Sequence, residues 1–234
     1  MQNPRNEKII QLLNKRQKNL TVFMDEVHKP HNLAAIIRTC DAVGIGEVHA
    51  VFPENSRLKA HEKKMENTAM GSCRWVKTYR KENLQMGLEQ MKSEKKQVLA
   101  AHFSDRATDF REIDYTKPSC ILVGSELYGV SEQAAEMADE HILIPMLGMV
   151  QSLNVSVATA IILYEAQRQR KAKKMYKSRQ LQDDHCELLR FGWLHPEVKF
   201  FCDKNNFRYP HIDENGYIQD EEWRKERQLL GFKK

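Results

Sequence analysis

Short apolar runs separated by polar segments recur along most of the chain, and they predict buried β-strands. The run 120–124 contains no charged residue and only one cysteine among its aliphatic residues and glycine. A continuous apolar run of this kind is typical of a strand in a sheet that is covered on both faces. Strands are predicted at 20–24, 47–52, 75–79, 97–103, 120–124 and 141–146.

Between these runs, apolar residues recur every three or four positions, which is the spacing of one helix face. Leu84, Leu88 and Met91 form such a stripe. Helices are predicted at 33–43, 81–95, 131–138 and 153–171. Because strands and helices alternate, the fold class is α/β with a mainly parallel sheet. The segment 172–180 is predicted to be a basic linker or helix extension, and 181–234 an aromatic-rich, irregular appendage.

Positive charge is concentrated in two short segments. The chain carries 37 Lys/Arg and 32 Asp/Glu, for a net charge of +5. Residues 1–20 carry a net +4 and residues 165–180 a net +6, so the remainder is slightly acidic. A third basic cluster lies at 57–64. This distribution suits a polyanionic partner, most simply a nucleic acid, although each segment taken alone could be a solvated helix face.

Composition excludes several classes of protein and predicts a location. No run approaches about 20 consecutive apolar residues, so a membrane protein is excluded. The five cysteines are odd in number and contain no C-x-x-C pair, which predicts reduced thiols and no metal site. The first residues lack the apolar stretch of a signal peptide, so we expect a cytoplasmic protein.

Candidate chemistry lies in three polar loops. The glycine motifs of dinucleotide and nucleoside triphosphate binding are missing, and open α/β sheets bind ligands at loops after their strands. Asn32 and Ser152 could be helix N-caps and Glu126 a helix-terminal carboxylate. Arg38 lies in an otherwise apolar segment and needs a partner or an anion. The loops contain Asn32 and Arg38; then Gly124, Glu126 and Gly129; then Gly148, Ser152 and Asn154.

In this order the three loops resemble the three motifs of the SPOUT methyltransferases, specifically the SpoU/TrmH branch of RNA ribose 2′-O-methyltransferases. The family patterns are N-x5-R, G-x-E-x-x-G and I-P-M-x-G-x-x-x-S-L-N-V-S-V-A, and residues 32–38, 124–129 and 144–158 match every fixed position. The resemblance implies an α/β fold with a deep trefoil knot, a feature nearly absent from other proteins. It also implies a homodimer.

The resemblance further implies S-adenosylmethionine as cofactor and a ribose in tRNA as substrate. The stretches 27–32, 109–115, 164–170 and 207–212 are similar to the branch members that methylate guanosine-18 of tRNA. Two alternatives remain open at this point. One is methylation of another RNA site, in ribosomal RNA or at the tRNA wobble nucleotide. The other is a non-catalytic RNA-binding protein on the same fold.

Catalytic roles follow from the same resemblance. Arg38 is expected to be the central catalytic residue, either as a general base or as a clamp on the substrate phosphate. The clamp is the chemically simpler role, because a guanidinium stays protonated at neutral pH. Asn32 and Ser152 are expected to position Arg38 or the ribose, and Glu126 and Asn154 to hold the loops.

Binding residues and domains complete the expectation. Domains are expected at 1–19 (a basic, helical RNA-binding segment), 20–171 (the knotted methyltransferase domain) and 172–234 (the C-terminal extension). Cofactor contacts are expected at Ala101, Gly124, Ile144, Met146 and Leu153. RNA contacts are expected at His31, Arg168, Arg170, Lys171, Lys173 and Lys174.

Overall fold

One parallel β-sheet forms the centre of the molecule. The structure, a computed structural model of the chain, describes residues 3–52 and 72–229. Its seven strands are ordered β3-β2-β1-β6-β4-β7-β5, and every neighbouring pair is parallel. The strands are β1 Leu20–Asp25, β2 Glu47–Val51, β3 Lys77–Arg80, β4 Gln97–Ala101, β5 Thr108–Asp109, β6 Ser119–Val123 and β7 Glu140–Leu143.

Helices connect these strands and continue beyond the sheet. A short 3₁₀ turn at Ser72–Arg74 precedes β3. None of the helices within the described ranges has the length and apolar character needed to cross a bilayer. The helices are α1 Pro4–Asn14, α2 Pro30–Ala42, α3 Leu84–Ser93, α4 Glu132–Met137, α5 Val155–Ala172, α6 Asp183–Leu194, α7 Pro196–Asn205 and α8 Glu221–Leu229.

The α/β class and the parallel sheet are confirmed, and so are all six predicted strands, with shifted ends. The last predicted strand was drawn too long: β7 ends at Leu143, and residues 144–146 open the following loop. β5 was not predicted because its two residues are too short to show a pattern. The expectation of an irregular C-terminal extension was wrong, since it contains α6, α7 and α8.

Apolar side chains cover both faces of the sheet. Every residue of β1 and of β6 is buried, as the continuous apolar runs predicted. One core cluster includes Ile36 of α2 and Ile162 of α5, and the other includes Leu88 of α3 and Ala134 of α4. The helices therefore lie in two layers, and the carboxyl ends of the central strands remain open to loops.

The chain forms two compact units whose limits differ from the predicted domains. The larger unit runs from Arg16 to Ser178. The smaller unit joins the N-terminal residues up to Lys15 with the chain from Arg179 onward. Within this smaller unit, Asn6 of α1 donates to the Glu214 carbonyl at 2.9 Å and accepts from Arg190 Nε at 2.8 Å. The N-terminal helix is thus integrated with the extension.

Candidate active site

Loops after β4, β6 and β7 meet at the carboxyl edge of the sheet, as parallel strands require. With the N-terminus of α5 they enclose a cavity of about 510 Å³. Apolar residues such as Ile142 and Ile162 form much of its wall. The structure brings all five expected cofactor residues to this cavity: Ala101, Gly124, Ile144, Met146 and Leu153.

The loop after β6 is a tight turn that requires its glycines. Ser125 and Gly129 exchange two backbone hydrogen bonds of 2.9 Å, and Gly129 has a φ of +71°, a left-handed conformation that favours glycine. A Cβ on Gly124 would lie 1.9 Å from the Gly129 carbonyl carbon. Any side chain at position 124 would therefore open the turn and displace Glu126.

A hydrogen-bond network joins the three motif loops. Asn32 Nδ2 donates to Glu126 Oε1 at 2.7 Å, and Asn154 Nδ2 donates to Asn32 Oδ1 at 3.2 Å. Asn154 Oδ1 in turn accepts from the backbone N–H of Ser156 at 2.9 Å. Asn32 is therefore the central residue of the network, with one motif loop on each side.

Glu126 is held in its ionised form by this network. Burial alone would raise the pKa of its carboxyl, but the hydrogen bonds from Asn32 and from the Lys29 backbone, with His28 nearby, lower that pKa overall. The Lys29 N–H donates to Oε1 at 3.2 Å, and His28 Nδ1 lies 3.4 Å from Oε2. The cavity wall thus carries a fixed negative charge.

The predictions that Asn32, Ser152 and Glu126 cap helices are wrong. Helix α2 begins at Pro30, so Asn32 lies inside its first turn rather than at its N-cap. Asn154, not Ser152, caps α5. Ser131, not Glu126, caps α4, through the backbone N–H of Ala134. Asn32 and Glu126 are thus freed to bond each other, while Ser152 lines the cavity.

Arg38 lies apart from this network. It is on the exposed side of α2, whereas Asn32 on the same helix is buried. It does not line the cavity, and within the described ranges its guanidinium forms no hydrogen bond or ion pair. A six-residue separation places the two side chains on different helix faces, and the structure confirms that difference.

Most of the expected RNA-contact residues are exposed. His31, Lys171, Lys173 and Lys174 are exposed, and the basic cluster at 57–64 lies outside the described residues. Arg168 is exposed but already paired, because its Nε and Nη2 both donate to Glu165 at 2.8 Å.

Arg170 corrects the prediction, since it is fully buried. Its guanidinium donates to three backbone carbonyl oxygens at 2.8–2.9 Å and to the Gln17 side chain at 3.3 Å. Burial lowers its pKa to about 10. Arg170 therefore ties loops of the larger unit together and is not available to RNA. The three carbonyls belong to Tyr115, Asn19 and Lys117.

Several cavity residues were missed by the sequence analysis. His102 and Phe103 directly follow β4, and Tyr128 lies inside the glycine turn. Phe103 is 84% exposed and Tyr128 83% exposed. A position immediately after a buried strand of a parallel sheet was the available signal, because such positions face the ligand edge.

Comparison with known proteins agrees with this geometry. Residues 19–164 match the SpoU rRNA Methylase family, and residues 168–221 match the family's C-terminal region, described as SpoU, rRNA methylase, C-terminal. The chain is 45% identical to the tRNA (guanosine(18)-2′-O)-methyltransferase of Escherichia coli K12, over 96% of this chain and 97% of that protein.

Solved structures give the same result. The TrmH/SpoU tRNA modifying enzyme of Aquifex aeolicus matches with a TM-score of 0.76 and 43% identity, over 83% of this chain and 96% of that one. An AdoMet-bound rRNA methyltransferase of Sinorhizobium meliloti matches with a TM-score of 0.58 and 31% identity, over 67% and 59%. The chain therefore belongs to the SpoU methylase family.

Proposed function

We propose that this protein transfers a methyl group from S-adenosylmethionine to the 2′-hydroxyl of guanosine-18 in tRNA. The observation that carries the proposal is the cavity at the carboxyl edge of the sheet, where Glu126, Asn32 and Asn154 join the three motif loops. The match to the E. coli guanosine-18 enzyme over nearly all of both chains supports this substrate.

The cavity fits the cofactor in size and chemistry. Its 510 Å³ lies within the range of about 300–1,000 Å³ that is usual for ligand pockets. Apolar side chains such as Ile144 and Leu153 suit the adenine ring, and the carboxylate of Glu126 suits a ligand with a net positive charge. When bound, the cofactor supplies the activated methyl group, and the protein supplies orientation and charge.

The residues around the cavity divide this work. Asn32 and Asn154 hold the loops against each other, and Ser152 presents a hydroxyl to the cavity. Arg38 binds the RNA phosphate next to the target ribose and aligns the hydroxyl, since a guanidinium on an exposed helix face can pair with an anion in two hydrogen bonds. The hydroxyl oxygen would take the methyl group as the methyl–sulfur bond breaks, and the hydroxyl proton would pass to water.

The finer architecture belongs to the same proposal. We infer that the loops at 124–129 and 144–154 form a trefoil knot. Support comes from β6, which lies mid-sheet between β1 and β4, and from α5, which returns to pack on α2. We also infer a cytoplasmic homodimer. The complete exposure of Leu147 and Met149 beside the cavity supports an additional protein surface there.

The test is to map methylated riboses by mass spectrometry after the protein and S-adenosylmethionine are incubated with unmodified tRNA and, separately, with ribosomal RNA. The proposal expects one new methyl group, on the ribose of nucleotide 18. A methyl group at the wobble nucleotide or in ribosomal RNA would establish the alternative substrates. Binding of tRNA without any methylation would establish a non-catalytic RNA-binding protein.

A further inference from the structure

A cluster of polar side chains beside the cavity is used by no step described above. His102 lines the cavity immediately after β4, and its backbone N–H donates to the Ile142 carbonyl at 3.2 Å. The edge of its ring meets the ring of buried His141, with centroids 5.1 Å apart and planes at 82°. Among the described residues that line the cavity, His102 is the only histidine.

The Arg106 guanidinium forms hydrogen bonds beside this pair of rings. Arg106 Nε donates to His141 Nδ1 at 3.3 Å, and Arg106 Nη2 donates to the Ala135 carbonyl at 3.1 Å. Ser104 Oγ lies 2.7 Å from His141 Nδ1. Arg106 is not among the residues that line the cavity, but its positive charge acts on His102.

The surroundings favour the neutral form of His102. Burial lowers the pKa of its imidazole below the ordinary value, and His141 and Arg106 lower it further. From the other elements around the cavity, the titratable side chains are Lys29, Glu126 and Tyr128. His102 is therefore protonated less readily than a free imidazole.

We propose that His102 is a specificity-determining residue whose charge state decides how well the cavity distinguishes a sulfonium cofactor from its thioether product. The proposal rests on the proposed function. S-adenosylmethionine carries a positive sulfur, and S-adenosylhomocysteine, the product after methyl transfer, carries an uncharged one. A neutral imidazole tolerates both sulfurs, whereas an imidazolium repels the sulfonium selectively.

The size of the effect follows from electrostatics. One like charge acting across a cavity of this size, at an effective dielectric constant of about 20, changes an affinity by roughly tenfold. The amino and carboxylate groups are common to both ligands. The ratio of the two dissociation constants therefore removes most of the effects that those groups and general acid destabilisation have on binding.

The test is titration calorimetry of both ligands on the full-length protein at pH values from 7.0 to 5.0. We expect the ratio of the S-adenosylmethionine Kd to the S-adenosylhomocysteine Kd to rise by roughly tenfold in the wild type and to stay constant in His102→Gln. His185→Gln, an exposed histidine in the smaller unit, is the matched control and keeps the wild-type rise.

Each other outcome has one meaning. A rise that persists in His102→Gln overturns the inference. A flat ratio in the wild type, with both ligands bound at pH 7.0, overturns the inference alone. Failure of the wild type to bind either ligand at pH 7.0 overturns the proposed function and this inference together.

Discussion

The cavity region and the basic end of α5 are both polar, but they are built in opposite ways. In the cavity region, Asn32, Glu126 and Asn154 are bonded to one another. At the basic end, residues 168–174, the lysine side chains are exposed and form no hydrogen bond or close ion pair with the described residues. A bonded network holds a fixed geometry, which chemistry needs, whereas free cations can follow a long polyanion. Helix α5 thus connects the bonded network, through its cap Asn154, to a group of exposed lysines at its other end.

The largest effect is expected at Arg38. Arg38→Ala should lower methyl transfer to tRNA by at least about 100-fold, the usual loss when a positioned catalytic group is removed. Binding of S-adenosylmethionine should not change, because Arg38 does not line the cavity. Single-turnover methyl transfer and calorimetry on the same preparation measure both quantities.

Arg38→Lys sharpens this prediction. Lysine keeps the positive charge but cannot form the paired hydrogen bonds of a guanidinium, so activity should remain well below that of the wild type. Near-normal turnover in Arg38→Ala would contradict the role given to this residue.

The second-largest effect is expected at Arg170, the buried arginine at the basic end of α5. Arg170→Met should lower the free energy of unfolding by about 3 kcal/mol, because a fully buried guanidinium is removed and three backbone carbonyl oxygens and the buried Gln17 amide lose their donor. Urea unfolding at a fixed protein concentration measures the change.

Arg168→Met, two residues away, is the matched control. Its side chain is exposed and, among the described residues, pairs with Glu165 alone, so the free energy of unfolding should change by less than about 0.5 kcal/mol. Equal losses in the two variants would mean that Arg170 does not have the structural role described for it.

The strands and these two arginines show what could and what could not be predicted from the sequence. Strands were predictable because continuous apolar runs are unambiguous in a sheet that is buried on both sides. Arg168 and Arg170 differ by about 200° around the helix, so only one faces the core. Leu163, Ala166 and Arg170 follow the spacing of a buried stripe, but the charge of Arg170 concealed this pattern.

The C-terminal extension shows a different limit. Residues 181–234 were predicted to be irregular, yet Pro196 occupies the first turn of α7, where a proline is well tolerated. In the site, the family resemblance predicted five cofactor contacts, four of them within the motifs and Ala101 outside them, and all five residues line the cavity. They could not predict His102 or Phe103, because these residues belong to no motif and reach the cavity only through the register of β4.

The third prediction concerns the charge in the cavity region. Glu126→Ala should weaken S-adenosylmethionine binding and lower stability by about 1–2 kcal/mol at pH 7, since a buried carboxylate with its hydrogen bonds is lost. The stability difference from wild type should also depend on pH. The folded-state pKa of Glu126 lies below the ordinary 4.5, so its contribution is complete above that value and is lost as the pH falls through the folded-state pKa.

Chemical unfolding of both proteins between pH 7 and pH 3 measures this difference. If the difference in the free energy of unfolding stays constant down to pH 3 and cofactor binding is unchanged, the network does not support the cavity. Asn154→Ala should weaken cofactor binding in the same way, because Asn154 is the other neighbour of Asn32.

The smallest effect is expected for the lysines at the basic end. Replacing Lys173 and Lys174 with glutamine should flatten the log–log salt dependence of tRNA binding by about 1.4–1.8, the contribution of two phosphate contacts. Lys92 and Lys95 are the control pair, because they lie at the end of α3 as the other two lie at the end of α5, although Lys92 also pairs with Asp139 at 3.3 Å. Lys95 and Lys174 also share the left-handed conformation.

The control pair should leave the slope unchanged, and S-adenosylmethionine binding should be normal in both double variants. Equal slopes for wild type and the Lys173/Lys174 variant would mean that this end of α5 is a solvated surface. The RNA would then be held by other parts of the protein.

The most direct test of the central claim uses two tRNA transcripts that differ by one oxygen atom. One carries guanosine at position 18 and the other carries 2′-deoxyguanosine there, and transfer of radiolabelled methyl groups from S-adenosylmethionine is measured for both. Ribose methylation at this nucleotide predicts about one methyl group per molecule of the first transcript and none on the second. Equal incorporation into both transcripts would contradict the account.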